Sequence, residues 1–532
     1  MNKLTVSALF LLATSVSIPS FASSKTTCDD IDKLATKEVS ISSTEMVAAK
    51  GDLPSYCRVT GTIQPQIGFE MRLPVENWNG KFYMAGCGAF CGAVGSDTPG
   101  FINSINYGLK RNYAVSTMDS GHEAASKVDG SWAHNNRDAE HNWGHRAVHK
   151  TANLTKLAID EYYGNKPDLS YFAGCSTGGR MGAMEASKYP EDFDGIISGA
   201  PALNYTSLVA TYFAWMVQHN TDKNGNEVIS AHDLSIVENH IYDECDGKDG
   251  VVDGLIDDPR ACNFRPQQLL CENGQAEACL TAPQVSALEK LYSRPTNSKG
   301  DALFAGAVPI GAEHFWKVWF TASPKDKKAM NKKVALKAKG LMSALNQNFL
   351  SYMAFENDPG DKISPTTYDF DKHPEKLDYM SNIYNADNPD LAKFKERGGK
   401  FLLWHGWGDM IIPPDMSIDY YERMVNRFGG IEKTQEFARF FLFPGMDHCG
   451  LVQGPGATQS GFDLLTTLEN WVERDTAPET VLLTKFDKDK KPVWTRPSCA
   501  YPQVSLFNGK GDASSPDSYQ CGEAPHTQLS VQ

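Results

Sequence analysis

Beyond its opening segment the 532-residue chain has no uninterrupted apolar run long enough to span a bilayer, which excludes an internal membrane helix. It also lacks a surplus of positive charge. Its 51 basic and 65 acidic residues leave a net charge of −14, a sign that repels phosphate backbones and anionic lipid. Nucleic acid and membrane surfaces are therefore not expected partners. Neither paired CxxC zinc-ribbon motifs, nor CxxCH, nor the HExxH zinc helix occurs. Internal repeats and low-complexity tracts are absent too.

What is present at the start is a leader pattern: Met1-Asn2-Lys3, an apolar run from Leu4 to Ile18, then Ser20-Phe21-Ala22. Export with cleavage after residue 22 is the expectation, to the periplasm or beyond the cell. The remaining 510 residues (532 less 22) suffice for a large core plus an inserted or appended body. All 12 cysteines lie after the leader, and an even count in an exported chain predicts six disulfides. Spacing alone leaves on the order of ten thousand pairings.

Between Arg58 and Ala85, apolar and polar residues alternate between Gly and Pro breaks (RVTGTI, FEMRLP, KFYMAG), the period of short strands, so a sheet is expected to begin there. Tyr113 to Met118 predicts another strand. Residues 138–163 carry a helical stripe of Trp143, Ala147, Leu154, Ala158 and Tyr162, stopped by Gly164 and Pro167. Leu169 to Ala200 reads strand, tight turn, helix, strand, which is a βαβ unit of a parallel sheet. That rhythm disappears from 201 to 385 and resumes at Lys400–Trp404, with a helix after Pro414, a strand at Phe437–Phe443 and a helix over 461–472. The expected organisation is α/β: leader 1–22, core 23–200, an inserted lid 201–385 with a lysine-rich helical piece at 325–340, and core again over 386–532.

Gly174-Cys175-Ser176-Thr177-Gly178 matches G-x-S-x-G and lies between a predicted strand and a predicted helix, the context of a nucleophile elbow. A serine hydroxyl needs a base, which in this order of motifs follows the serine and an acid along the chain. Only His448 and His526 lie beyond the late strands, and His526 sits in a polar tail. His448 stands in a glycine-bracketed loop, PGMDHCG, straight after a strand. Asp409 ends the stretch LWHGWGD just past another strand and is the expected acid, with Asp415 in reserve; Asp447 is too close to the histidine and is read as a turn residue. Cys175 precedes the serine and Cys449 follows the histidine. If Ser176 and His448 converge, these two sulfurs come within disulfide reach.

Taken with NWNGKFYMAGCGAFCG (77–92), STMDSGH (116–122), HRAVHKTA (145–152), YFAGCSTGGRMG (171–182), FDGIISGAPA (193–202), HGWGDMIIPP (405–414) and MDHC (446–449), the chain resembles the tannase and feruloyl esterase family over nearly its whole mature length. The resemblance implies an α/β-hydrolase fold and hydrolysis of phenolic-acid esters through Ser176, Asp409 and His448. Related terephthalate monoesters are the alternative substrates. It places an oxyanion hole at the Thr177 N–H and the loop Gly86-Cys87-Gly88; where the family's loop is almost all glycine this one has Cys87, and a local Cys87–Cys91 bridge is expected to stiffen it. It further suggests the pairs Cys245–Cys262, Cys271–Cys279 and Cys499–Cys521, leaving Cys28 with Cys57. A serine peptidase or acyltransferase, or a catalytically silent polyphenol-binding protein, are the rival readings.

The Asp/Gly loop from Asp246 to Asp257 supplies hard oxygen ligands, which suit calcium better than zinc, although it is no EF-hand. The resemblance implies structural calcium on the carboxylates of Asp246, Asp249 and Asp253 and the carbonyls of Val251 and Leu255. His141, His145 and His149 recur every four residues along one predicted helical face; they and His122 are read as packing histidines without a metal. Lid aromatics Tyr212, Trp215, Phe315, Trp316, Trp319 and Phe355 are candidates to stack on an aromatic acyl group. The oligomeric state is unspecified.

Overall fold

The alternating segments fold as strands, and they assemble one element earlier than the sequence suggests. The structure, a computed structural model, describes residues 27–95, 103–272, 278–320 and 340–524. The expected leader, nearly all of the lysine-rich piece and His526 lie outside the described residues. A nine-stranded sheet runs in the order β1-β2-β3-β5-β4-β6-β7-β8-β9. Its strands are β1 (Val39–Val47), β2 (Tyr56–Ile63), β3 (Ile67–Pro74), β4 (Lys81–Ala85), β5 (Ala114–Met118), β6 (Leu169–Cys175), β7 (Gly195–Gly199), β8 (Lys400–Gly406) and β9 (Ala438–Phe443). From β5 to β9 across the sheet every pairing is parallel; the first three strands and the β3–β5 pairing are antiparallel.

β1 is the strand the sequence hides. It lies at the edge, carries VSISSTEMV without a buried face, and a register shift between Ile41 and Ser43 breaks the period of two. The central strands show the opposite pattern: all five residues of β5 and of β7 are buried, as parallel strands covered on both faces must be.

Helix Ala147–Tyr163 covers one face, preceded by a π-helical turn at Asn142–Arg146 that interrupts the single helix expected over 138–163. Helix Leu464–Arg474 buries Leu464, Leu465, Leu468 and Trp471, one apolar stripe, and each buried leucine contributes about 1.5–3 kcal/mol. Asp463 caps it by accepting from the Thr466 N–H.

Between β7 and β8, the described residues add no strand to the sheet. They form helices including Phe213–His219, Ala231–Cys245, Ala282–Leu291 and Gly340–Tyr352, and Phe213 and Leu345 of the first and last of these share a cavity with Ser176 at the end of β6. After the last sheet helix come two two-stranded ribbons missed by the sequence reading: β10 (Thr480–Phe486) with β11 (Pro492–Cys499), and β12 (Gln503–Phe507) with β13 (Tyr519–Glu523). Cys499–Cys521 ties them, and Tyr501 donates its N–H to Phe440 of β9. All six cysteine pairs are those expected: 28–57, 87–91, 175–449, 245–262, 271–279 and 499–521. Among the described residues no helix is long and apolar enough to cross a membrane.

Candidate active site

At the end of β6 the backbone turns so sharply that Ser176 takes φ 66°, ψ −125°, before helix Thr177–Lys188 begins. A non-glycine residue there stores about 1–3 kcal/mol of strain and persists only if its surroundings hold it. They do so through backbone bonds: Ser176 N–H donates to Gly199 O (3.0 Å), and its carbonyl accepts from Arg180 N (3.0 Å). Asn103 clamps the preceding residue from both sides, Oδ1 accepting from Cys175 N (3.2 Å) and Nδ2 donating to Cys175 O (3.3 Å). A Cβ at Gly178 would stand 2.3 Å from Asn103 Oδ1, so the glycine is a condition of that approach.

Asp409, at the turn after β8, is fully buried and has partners on both carboxylate oxygens. Oδ1 accepts from the N–H groups of Ile411 and Ile412 (3.0 and 2.9 Å); Oδ2 stands 2.6 Å from His448 Nδ1 and 3.3 Å from His405 Nε2. Burial pushes this carboxyl up, yet the two imidazoles and their hydrogen bonds outweigh it and hold the pKa at about 2. His405 is fixed in turn by Ser417 Oγ on Nδ1 and by Ile412 O on Nε2, each at 2.8 Å. Reserve candidate Asp415 lies apart, within reach of Ala307 N. Asp447 accepts from Val452 N (3.0 Å), as a turn residue does.

Ser176 and His448 line one cavity of about 250 Å³, together with Gly88, Ala89, Thr177, Tyr205, Phe213, Ile411 and Trp319. Cys175 and Cys449 are bridged beneath it with Cα atoms 6.0 Å apart. Among the described residues Ser176 Oγ makes no hydrogen bond. His448 Nε2 has Cys449 Sγ at 3.7 Å, and Trp319 packs edge-on to the imidazole with centroids 6.0 Å apart. His448 thus borders the cavity with no strong hydrogen bond on the ring nitrogen opposite the Asp409 contact, and in apo sites such bonds often tighten only on binding.

Of the expected oxyanion residues Gly88 reaches the cavity, joined by Ala89, which was not expected there, and Cys87 does not, because its side chain is turned into the bridge with Cys91. Among the described residues no backbone carbonyl engages the Gly88 or Ala89 N–H. Thr177 Oγ1 donates to Ala89 O (2.7 Å) and locks this loop to the elbow. Of the six lid aromatics proposed to stack on an acyl ring, only Trp319 lines the cavity. Tyr212, Trp215 and Trp316 are buried within the insert, Phe315 is buried against Gly408 and Gly454 of the second core segment, and Phe355 faces a separate hollow with His373 and Tyr379.

Three supporting residues escape sequence reasoning. His405 and Asn103 act on the acid and the elbow. Arg180, fully buried, donates to the carbonyls of Trp143, Gly144 and Tyr384 (2.8–3.0 Å) and lies 4.1 Å over the Trp143 ring, pinning the elbow helix to the π-turn and the insert. Their partners are mostly backbone atoms from distant segments; the only local signals are Arg180 inside GCSTGGRMG and the four-residue spacing of His405 and Asp409 in HGWGD.

In the acidic loop, Asp246 accepts from the N–H groups of Asp253, Gly254 and Leu255 (2.9–3.2 Å). Asp249 Oδ2 is buried with no partner among the described residues, and the carbonyls of Val251 and Leu255 accept no backbone bond. Arg496, unforeseen from sequence, pairs with Asp253 and lies 3.5 Å from Asp257. Burial, then repulsion between the two carboxylates, pushes Asp257 up to about 8; for Asp249, raised to about 6, burial is again the largest cause. An all-oxygen set with an orphaned carboxylate oxygen and two free carbonyls fits a hard dication.

The sequence model of the family described as tannase and feruloyl esterase matches residues 51–522. An esterase of Xanthomonas campestris pv. campestris is 30% identical, covering 95% of this chain and 92% of its own. Mono(2-hydroxyethyl) terephthalate hydrolase of Piscinibacter sakaiensis is 31% identical over 90% of this chain and 86% of its own. The crystal structure of feruloyl esterase B from Aspergillus oryzae superposes with a TM-score of 0.81 at 24% identity, covering 93% and 99% of the two chains. These matches confirm the α/β-hydrolase architecture and a carboxylic ester hydrolase.

Proposed function

This chain belongs to the tannase and feruloyl esterase family, and from that premise we propose that it hydrolyses phenolic-acid esters through Ser176, His448 and Asp409. The observation that carries the reading is the 2.6 Å contact of His448 Nδ1 with Asp409 Oδ2, set across one cavity from a serine in a strained elbow. Ser176 Oγ attacks the ester carbonyl carbon while His448 Nε2 takes its proton. Asp409 holds the imidazole tautomer and stabilises the imidazolium. The oxyanion faces the Thr177 N–H and an N–H of the Gly88–Ala89 loop, each such donor being worth about 100- to 1,000-fold in rate. His448 returns its proton to the departing alkoxide. Water then attacks the acyl carbon, again losing a proton to His448, and Ser176 recovers it as the acid leaves.

The cavity walls favour a flat apolar acyl group: Tyr205, Leu208, Val209, Phe213, Leu345 and Ile411 surround the space in front of Ser176. Ser176→Ala is expected to cut kcat on methyl ferulate by about 10⁶-fold with an unchanged melting temperature. Retained hydrolysis in that variant would end the proposal.

A second reading, an ester that also carries a carboxylate, is favoured by Lys127. Among the described residues it is the one Lys or Arg in the cavity wall, where no Asp or Glu stands, and its ammonium makes no ion pair. On this reading Lys127→Met raises KM about 5-fold for chlorogenate or a terephthalate monoester, the worth of an exposed ion pair, and leaves methyl ferulate unaffected. An equal effect on all three esters sinks it.

The cation that the acidic loop fits is proposed to be calcium, held by Asp246, Asp249, Asp253, Val251 O and Leu255 O. It would neutralise the loop's charge and fix its course, outside the chemistry. Six disulfides support export to an oxidising compartment.

A further inference from the structure

Away from the cavity, the last turn of the elbow helix packs against helix Ala147–Tyr163 and the turn that leads into β7. Glu185, Asp192 and His149 meet there, each offering a ligand atom within 4.8 Å of the others. Two of these residues are carboxylates withdrawn from water, Glu185 at 1% and Asp192 at 4% exposure, whereas the His149 side chain is 36% exposed and opens the group to solvent. His149 Nδ1 lies 2.6 Å from Asp192 Oδ2, and Asn153 Nδ2 reaches both, at 3.2 and 3.4 Å. Glu185 Oε2, wholly buried, has no hydrogen-bond partner among the described residues. The ammonium nearby, Lys156, bonds the Asp192 carbonyl and neither carboxylate. Tyr189 stacks on the His149 ring at 4.0 Å and donates to or accepts from His145 Nδ1 at 2.7 Å, which fixes the imidazole's plane.

A buried carboxylate oxygen left without a donor costs free energy that a cation or a proton must offset. Burial, followed by the charge of Asp192, raises the Glu185 pKa well above its ordinary value, so the group attracts one or the other. One imidazole nitrogen and two carboxylates suit a borderline transition-metal dication better than calcium, and the ligands of a tetrahedral zinc stand about 3.3 Å apart for bonds of about 2.0 Å. The His149–Asp192 contact needs to open by under about 1 Å to reach that spacing.

We propose that Glu185, Asp192 and His149 form a structural zinc site, separate from the acidic loop, with water as the fourth ligand. The ion replaces the proton shared between the carboxylates and the proton on His149 Nδ1, which moves to Nε2 or to solvent. It ties three segments at the end of the elbow helix opposite Ser176; nine residues separate Ser176 from Glu185, about 13 Å along the helix axis. Its role is to stiffen the platform that carries the elbow. His141 and His145 stay outside the group, as packing histidines.

The test uses the whole mature protein, stripped of transition metals and kept in excess calcium so that the acidic loop is satisfied. Calorimetric titration with zinc chloride is expected to give one ion per chain, proton release that scales with buffer ionisation enthalpy, and a raised melting temperature. Glu185→Gln and His149→Gln are expected to lose that binding while keeping the wild-type response to calcium and kcat on methyl ferulate. Absence of stoichiometric zinc binding, or binding that survives in His149→Gln, overturns the proposal and assigns the pocket to a shared proton. Because His149 is half-exposed, its variant remains informative if Glu185→Gln fails to fold.

Discussion

At the scale of single residues, burial without a charged partner keeps a histidine from taking a proton. His122 lies flat on Trp132 with ring centroids 3.7 Å apart, and burial pushes its pKa down from 6.5 to about 3. Between those two values the unfolded chain binds a proton that the folded chain refuses, so stability falls as pH drops below about 6.5. Thermal melts between about pH 7 and about pH 5 should show this slope, and His122→Phe should flatten it; an unaltered slope in the variant would place the titration elsewhere, His145 being the next candidate. Ser176, His448 and Asp409 are legible before any coordinates because their motif and chain order are local. Asn103, His405 and Arg180 are not, because what each does depends on atoms that only the fold brings to it.

At the scale of elements, Cys175–Cys449 joins the end of β6 to the short helical turn His448–Gly450 across 274 residues of chain. Cross-linking so long a loop removes more than about 4 kcal/mol of unfolded-state entropy in the chain-entropy account. A Cys175→Ala/Cys449→Ala protein is therefore expected to melt well below the wild type and to lose kcat more than KM, since the bridge sets where His448, the proposed base, stands relative to the elbow. Wild-type kcat in the double variant would show that strand pairing alone positions them. The parallel strands were readable from apolar runs between turn residues. β1 was not, because its exposed serines, threonines and bulge erase the period of two. The ribbons β10–β13 were not either, since β10 and β11 bury few residues of mixed polarity and β12 and β13 bury almost none, which leaves no period of two to read.

At the scale of the molecule, the insert is a second packed layer with its own aromatic core, and the acidic loop joins it to the C-terminal ribbons through Arg496. Burial and mutual repulsion raise both Asp249 and Asp257 there, so if calcium occupies the loop as proposed, its removal is expected to loosen both bodies together. An ion at about 100 times its dissociation constant adds about 2.7 kcal/mol, a few degrees in melting temperature. Chelation with EGTA is expected to lower the transition by that amount, and Asp249→Asn to reduce the loss; a melting curve indifferent to EGTA removes calcium from the account.

β7 and β8 are neighbours in the sheet although about two hundred residues of insert separate them. During synthesis, at roughly 5–20 residues per second, the segment that carries Ser176, half of the proposed catalyst, is therefore made roughly 15–55 s before the one that carries His448. The edge of β7 stays unpaired for roughly 10–40 s until β8 is made, and the Cys175 thiol stays free until Cys449 follows, so productive assembly is a late, long-range event that depends on whatever shields both until the last quarter of the chain arrives.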